Sequence, residues 1–222
     1  MQYQVMTSAP PSPAPVDALA APCAPAEGTG DEGAALLARH IAGEGSAFPA
    51  LVRAFQSSIY GFFLRSVDRA AADDLFQETF MRVHKDARRY EPRRPFRVWL
   101  FTIAHNLLRS HHRKRVVRRV LVDWWVGGPS ADGERRPLDP ADTRPIADEV
   151  AATRERLRWL EAALGELPER VREALVLTQL EGLSLEQAAE VMRVPIGTVK
   201  TWVFRGRNLL VSAREAHERG KA

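Results

Sequence analysis

With 222 residues, 45% of them hydrophobic and 27% charged, the chain is sized for one soluble domain or two small ones. No apolar run approaches a membrane span. The single cysteine, Cys23, excludes an internal disulfide, and one thiol with scattered histidines makes no zinc site, so a reducing cytoplasm is the expected location.

The first 34 residues are rich in Ala, Pro, Ser and Gly and lack apolar periodicity, which predicts a disordered tail. Leu19–Cys23 superficially suggests a lipoprotein cleavage box, but no Lys or Arg precedes it and Pro22 adjoins the cut. From Phe48 the spacing of Leu51, Val52, Phe55, Ile59, Phe62 and Phe63 predicts an amphipathic helix. A second helix is expected to begin near Ala70–Asp74, with Asp73 and Asp74 at its positive end and Phe76, Phe80, Val83, Ala87 and Tyr90 as its stripe. Its opposite face carries Asp74, Gln77, Glu78, Arg82 and Lys85, either a solvated surface or a partner site.

Tyr90–Pro95 reads as an arginine-rich loop, and Pro95 suits the first turn of a helix running to about Arg115. Phe96, Leu100, Ile103 and Leu107 form its core stripe. Beside them Trp99, Thr102, Asn106, Arg109 and Arg113 share one flank. An aromatic ring, an amide and a row of cations can hold unstacked bases and phosphates; the alternative makes Trp99 the edge of the core and Asn106 a solvated residue. From Arg82 to Arg119, thirteen Lys/Arg stand against Asp86 and Glu91, whereas from Asp123 to Glu149 seven acids oppose three arginines. A nucleic-acid surface joined to an acidic connector has this segregation.

Residues 116–150, with Gly127-Gly128-Pro129, Pro137, Pro140 and Pro145, read as a linker, in which Trp124-Trp125 is a candidate docking element. Val150, Leu157, Leu160, Leu164 and Leu167 begin a second helical unit, and Pro168-Glu169 restarts a helix with Val171 and Leu175 inward. Ser184 with Gln187 is a capping-box start, followed by Leu185, Ala188, Ala189 and Met192 on one face. A break at Arg193–Gly197, attributed to Pro195, precedes a helix with Val199, Val203, Gly206 and Leu210 buried. Lys200, Thr201, Phe204, Arg205 and Asn208 share the opposite arc, and no acid occurs from Arg193 to Arg214. Lys and Arg pair with guanine edges or phosphates, Asn with adenine, Thr or Phe with a thymine methyl. This is a helix-turn-helix. The expected fold is all-α: two small helical domains, 35–115 and 151–215, joined by a flexible linker, with a short tail at 216–222.

Asp74-Leu-Phe-Gln-Glu-Thr-Phe80, Phe96-Arg-Val-Trp-Leu-Phe-Thr-Ile-Ala-His-Asn-Leu107, Leu167-Pro-Glu-Arg170, Glu181–Ala189 and Gly197-Thr-Val-Lys200 occur in the order and spacing of a known family. Over roughly 47–115 and 155–214 the chain resembles bacterial RNA polymerase sigma factors of the extracytoplasmic-function (ECF) group. The resemblance implies that the helix bearing Asp74, Gln77 and Glu78 docks on the polymerase clamp, and that the helices around Leu167–Leu177 face the flap. It implies that the Trp99–Arg113 flank, with the Tyr90–Pro95 loop, opens the −10 element and captures a flipped base, at a stacking cost the pocket must offset. The rear helix-turn-helix would read the −35 element through Lys200, Thr201, Phe204 and Arg205. It also implies an anti-sigma protein, expected to bind between the two modules. His105 replaces an Arg common in the family, and His111-His112 interrupt a region that commonly carries Asp and Arg. The proline-rich tail and Trp124-Trp125 are also outside the common pattern.

The competing reading is a stand-alone helix-turn-helix regulator that binds duplex DNA as a dimer; the front module is the feature it does not require. An enzymatic reading lacks parts: the sequence has no phosphate-cradling Gly loop, nucleophile–base pair or metal-ligand spacing. No cofactor, small-molecule substrate or membrane insertion is expected.

Overall fold

The computed structural model of the protein describes residues 31–126 and 159–219; residues 1–30, 127–158 and 220–222, which include most of the expected tail and linker and the positions Val150 and Leu157, lie outside them. Among the described residues every regular element is helical. The front module comprises α1 (Glu32–Ile41), α2 (Ala47–Leu64), α3 (Arg69–Asp86, closed by a 3₁₀ turn at Ala87–Arg89) and α4 (Phe96–Val126). The rear module comprises α5 (159–165), α6 (Glu169–Leu175), a π turn (Val176–Leu180), α7 (Leu185–Met192) and α8 (Ile196–Arg219).

Helix α1 begins inside the stretch read as tail. Asp31 caps it, one carboxylate oxygen accepting the Ala34 N–H at 3.2 Å, while the other oxygen accepts the Phe96 N–H at the start of α4. One side chain therefore satisfies orphan donors at two helix starts. Gly33 lies so close to the Phe96 ring that a Cβ would fall 2.1 Å from it. Helix α3 starts at Arg69, earlier than expected, because Asp68 caps it through the Ala71 N–H at 3.0 Å. Helix α4 continues through 116–126, the first part of the presumed linker, and stops where Gly127-Gly128-Pro129 follow. No Gly or Pro interrupts it before that point. Helix α8 likewise runs to Arg219, into the expected C-terminal tail.

The front core joins Leu51, Ile59, Phe62 and Phe63 of α2 to Leu75, Phe80 and Val83 of α3 and to Phe96, Leu100 and Leu107 of α4. In the rear module α8 packs on α6 and α7 through Val199 and Val203. Gly206 completes that contact: a Cβ there would lie 2.5 Å from Leu175 Cδ1 and 2.8 Å from Val171 Cγ1. Gly206→Leu should therefore force α8 off α6 and destabilise the rear module by about 3 kcal/mol. A chemical-denaturation midpoint that does not move would contradict this packing.

The two modules pack directly against each other through α4. This helix has three working faces, roughly a third of a turn apart on a 100° wheel. Phe96, Leu100 and Leu107 face the front core. Arg97, His105 and His112 meet acids of the rear module. Trp99, Asn106, Arg109 and Arg113 form the remaining flank. Apolar residues around most of its circumference, including buried Val98, Phe101, Ala104 and Leu108, are what a doubly packed helix needs.

The seam is charge-complementary. Arg97 donates to the Glu181 carboxylate at 2.7 Å and to the Glu181 backbone carbonyl at 2.9 Å. Arg94 pairs with Glu190, His105 Nε2 lies 3.3 Å from Glu173 Oε2, and Arg172 donates to the Arg65 carbonyl at 2.9 Å. The π turn sets up the first of these: the Glu181 N–H bonds back to the Val176 carbonyl at 2.9 Å, and the Glu181 side chain emerges beside α4, 6% exposed. Burial holds the Glu181 carboxyl above its ordinary range against the opposing pull of Arg97. Desolvation thus consumes much of the Coulomb gain, so the seam fixes register more than it adds stability.

Candidate nucleic-acid interface

The helix-turn-helix is built locally. Ser184 Oγ accepts the Gln187 N–H at 3.2 Å while Gln187 Oε1 accepts the Ser184 N–H at 2.9 Å, the reciprocal capping box expected from the sequence. Helix α7 ends at Arg193, whose φ of 55° and ψ of 48° place it in the left-handed region. The turn is made there, with the Val194 N–H bonding back to the Ala189 carbonyl at 3.1 Å; Pro195 then leads into α8. Only the break itself was expected; a non-glycine αL residue was not.

On α8, Val199, Val203 and Gly206 are buried and Leu210 is half-buried, while Lys200, Thr201, Phe204, Arg205 and Asn208 are all exposed. Phe204 is 68% exposed. A phenyl ring costs free energy in water, and it shares its arc with two cations, a hydroxyl and an amide. Thr201 Oγ1 donates to the Gly197 carbonyl at 2.9 Å, which leaves its methyl group for an apolar contact.

The α4 flank is placed differently. Trp99 is half-buried, its ring 5.1 Å from Tyr90 and 5.7 Å from Phe96. Tyr90 in turn donates to the Arg94 carbonyl at 2.6 Å, so the aromatic cluster braces the arginine-rich loop. Burial pushes the Tyr90 hydroxyl up to about 12. Thr102 Oγ1 is spent on the Val98 carbonyl at 2.7 Å. Thr102 and Asn106 are half-buried; Arg109 and Arg113 are exposed. The flank is a half-buried aromatic and amide ledge continued by exposed cations. His105 points the other way, 1% exposed, in the seam.

A third surface lies on α3. Asp74, Gln77 and Glu78 are exposed on one face, with Arg82 donating to Glu78 at 2.7 Å. Met81, one turn on from Gln77 and Glu78, is 57% exposed. Sequence reasoning passed over it, because a methionine next to a core stripe reads as core. An exposed flexible apolar side chain among charges is instead the composition of a docking knob. Among the described residues, no helix is long and apolar enough to cross a membrane.

Comparisons with known proteins agree with this layout. The family model Sigma-70 region 2 matches residues 51–118, and Sigma-70, region 4 matches 157–210. The ECF RNA polymerase sigma factor SigC of Mycobacterium tuberculosis is 34% identical over 191 residues, spanning 83% of this chain and 93% of its own. The RNA polymerase sigma-H factor of Pseudomonas aeruginosa is 31% identical over 182 residues, 80% of this chain and 91% of its own. Among solved structures, CnrH in complex with the cytosolic domain of CnrY matches at a TM-score of 0.59 and 26% identity, covering 84% of this chain and 99% of that one. The sigma factor RpoE in complex with the anti-sigma factor NepR from Bartonella quintana matches at 0.56 and 26%, covering 76% and 96%. The chain belongs to the sigma-70 family of RNA polymerase sigma factors, in its extracytoplasmic-function group, and is a promoter-specific transcription initiation factor.

Proposed function

We propose that the chain binds core RNA polymerase through the α3 face of Asp74, Gln77, Glu78 and Met81, and reads a −35 element through Lys200, Thr201, Phe204, Arg205 and Asn208. Trp99, Thr102, Asn106, Arg109 and Arg113 engage the −10 element and help to melt it. The observation that carries this reading is the pairing of an exposed arc on α8 with a half-buried aromatic and amide ledge and exposed cations on α4, on helices whose other sides are buried.

The docked arrangement is then a resting state. Elements at −35 and −10 lie about 25 base pairs apart, or roughly 85 Å along B-DNA at 3.4 Å per step. In the docked chain the α4 flank and the α8 arc are separated by a few helix layers of about 10 Å each. The modules must part to touch both elements. An anti-sigma protein is a further proposed partner, by analogy with the complex of RpoE with the anti-sigma factor NepR. The seam itself is filled by this chain's own side chains, so such a protein either wraps outside it or displaces it.

Binding to core polymerase tests the α3 assignment. Met81→Asp places a charge on the apolar knob and should weaken binding by about tenfold or more, the loss expected of an interface anchor. Unchanged affinity in a well-folded Met81→Asp protein would remove this face from the interface.

A further inference from the structure

The seam contains a group of side chains outside the DNA-reading faces of α4 and α8 and the α3 face. We propose that His112, Glu169 and Glu173 form a binding site for a divalent transition-metal ion, zinc by ligand type, that bridges the two modules and holds them docked. His112 belongs to α4 of the front module; Glu169 and Glu173 are one turn apart on α6 of the rear. One ligand atom from each lies within 4.8 Å of the other two, and His112 Nε2 is 3.5 Å from Glu169 Oε1. Zinc with bonds of about 2.0–2.2 Å to nitrogen and oxygen has tetrahedral ligand edges of about 3.3 Å, so small side-chain rotations close the site.

Glu173 supplies the observation that points to a ligand. Its side chain is 1% exposed, and Oε1 accepts no hydrogen bond. Its other oxygen is occupied: Oε2 is 3.2 Å from Arg170 Nη1 and 3.3 Å from His105 Nε2. Such outer contacts orient a ligating carboxylate. His112 Nε2 is likewise buried without a hydrogen bond. Two of the three side chains of this cluster thus carry a buried polar atom without a hydrogen bond, which a protein interior rarely leaves.

Arg170 answers only Oε2 of Glu173, and Arg172 donates to the carbonyls of Arg65, Gly165 and Leu167. One imidazole and two carboxylates, with a fourth position for water, suit zinc and its first-row neighbours. The sequence could not show this: His112 and Glu169 lie on opposite sides of the linker.

The regulatory consequence rests on the reading of the docked state as resting: a metal-loaded chain stays closed and initiates less. The test uses the full chain carrying Cys23→Ser, so that the lone thiol cannot contribute, stripped of metal and titrated with Zn²⁺ against a chromophoric chelator. One ion should bind per chain, with affinity reduced about tenfold or more in both His112→Ala and Glu169→Gln. No bound zinc, or affinity in either variant equal to that of the parent, would overturn the site. In parallel, dyes at Arg53→Cys and Arg214→Cys report module separation by energy transfer. Zinc should raise transfer in the parent and not in Glu169→Gln; bound zinc without that rise would overturn the bridging role. Promoter-dependent transcription with the same zinc occupancy separates the two ideas. Normal initiation by a zinc-bound, docked chain would sink the resting-state reading while leaving the metal site in place.

Discussion

Replacing Lys200 and Arg205 together by alanine should reduce transcription from a promoter with an intact −35 element on the order of 100-fold, at about 1–3 kcal/mol per lost base or phosphate contact. Both side chains are exposed on the arc opposite Val199 and Val203, so their removal leaves the rear core untouched. Circular dichroism, unfolding midpoint and affinity for core polymerase should therefore stay at the parent values. The salt dependence of promoter binding should also flatten, by about one unit of log–log slope for each cation that meets a phosphate. If transcription falls equally on promoters with and without a −35 element, the loss is not one of sequence reading.

The second large effect is on the seam. Arg97→Ala removes both the 2.7 Å contact to the Glu181 carboxylate and the 2.9 Å contact to its carbonyl, and leaves Glu181 buried without that partner. Hydrogen bonds to a charged group contribute about 1.5–3 kcal/mol, so the docking equilibrium should shift by roughly thirtyfold toward the open chain. Arg97 is itself about one-third exposed, which keeps the expected shift well below that of a fully buried pair. Opening relieves the stranded carboxylate, since Glu181 then reaches water. Small-angle scattering should show a larger radius of gyration. Transcription at limiting protein should rise, because less of the polymerase-binding free energy is spent on separating the modules. An unchanged radius would mean that the other contacts of α4 with the rear module hold the seam without the ion pair.

What was legible in the sequence was local. The Ser184–Gln187 box, the apolar stripe of α8 and the five-residue arc opposite it need only neighbours within a few turns, and each reads directly from residue spacing. The exposed face of α3 followed in the same way, save for Met81. What escaped depends on distant partners. Asp31 and Gly33 sit in an Ala/Gly-rich stretch that reads as tail; the bond from the Phe96 N–H to Asp31 and the fit of Gly33 against the Phe96 ring exist only because α4 starts beside them. Residue spacing singled out one core stripe on α4 and passed over Val98, Phe101, Ala104 and Leu108, which are buried as well. Part of α4 is covered by the rear module, which lies beyond the linker, so no spacing within the helix shows it. His105 looked like an unusual member of a DNA-reading motif, and the fold instead turns it toward Glu173. The break before α8 was attributed to Pro195, whereas the left-handed backbone of Arg193 makes the turn.

The central claim is that one chain carries both promoter-reading surfaces and delivers them to polymerase. Its most direct test is transcription by core RNA polymerase, with and without the purified protein, over a library of randomised promoters. The account predicts initiation only in the presence of the protein, confined to templates that share a pair of short elements about 25 base pairs apart. Substitution of Lys200 and Arg205 should relax the upstream element, and substitution of Asn106 the downstream one. If the protein instead binds duplex DNA tightly on its own and never changes where polymerase starts, it is a free-standing regulator, and the account is contradicted.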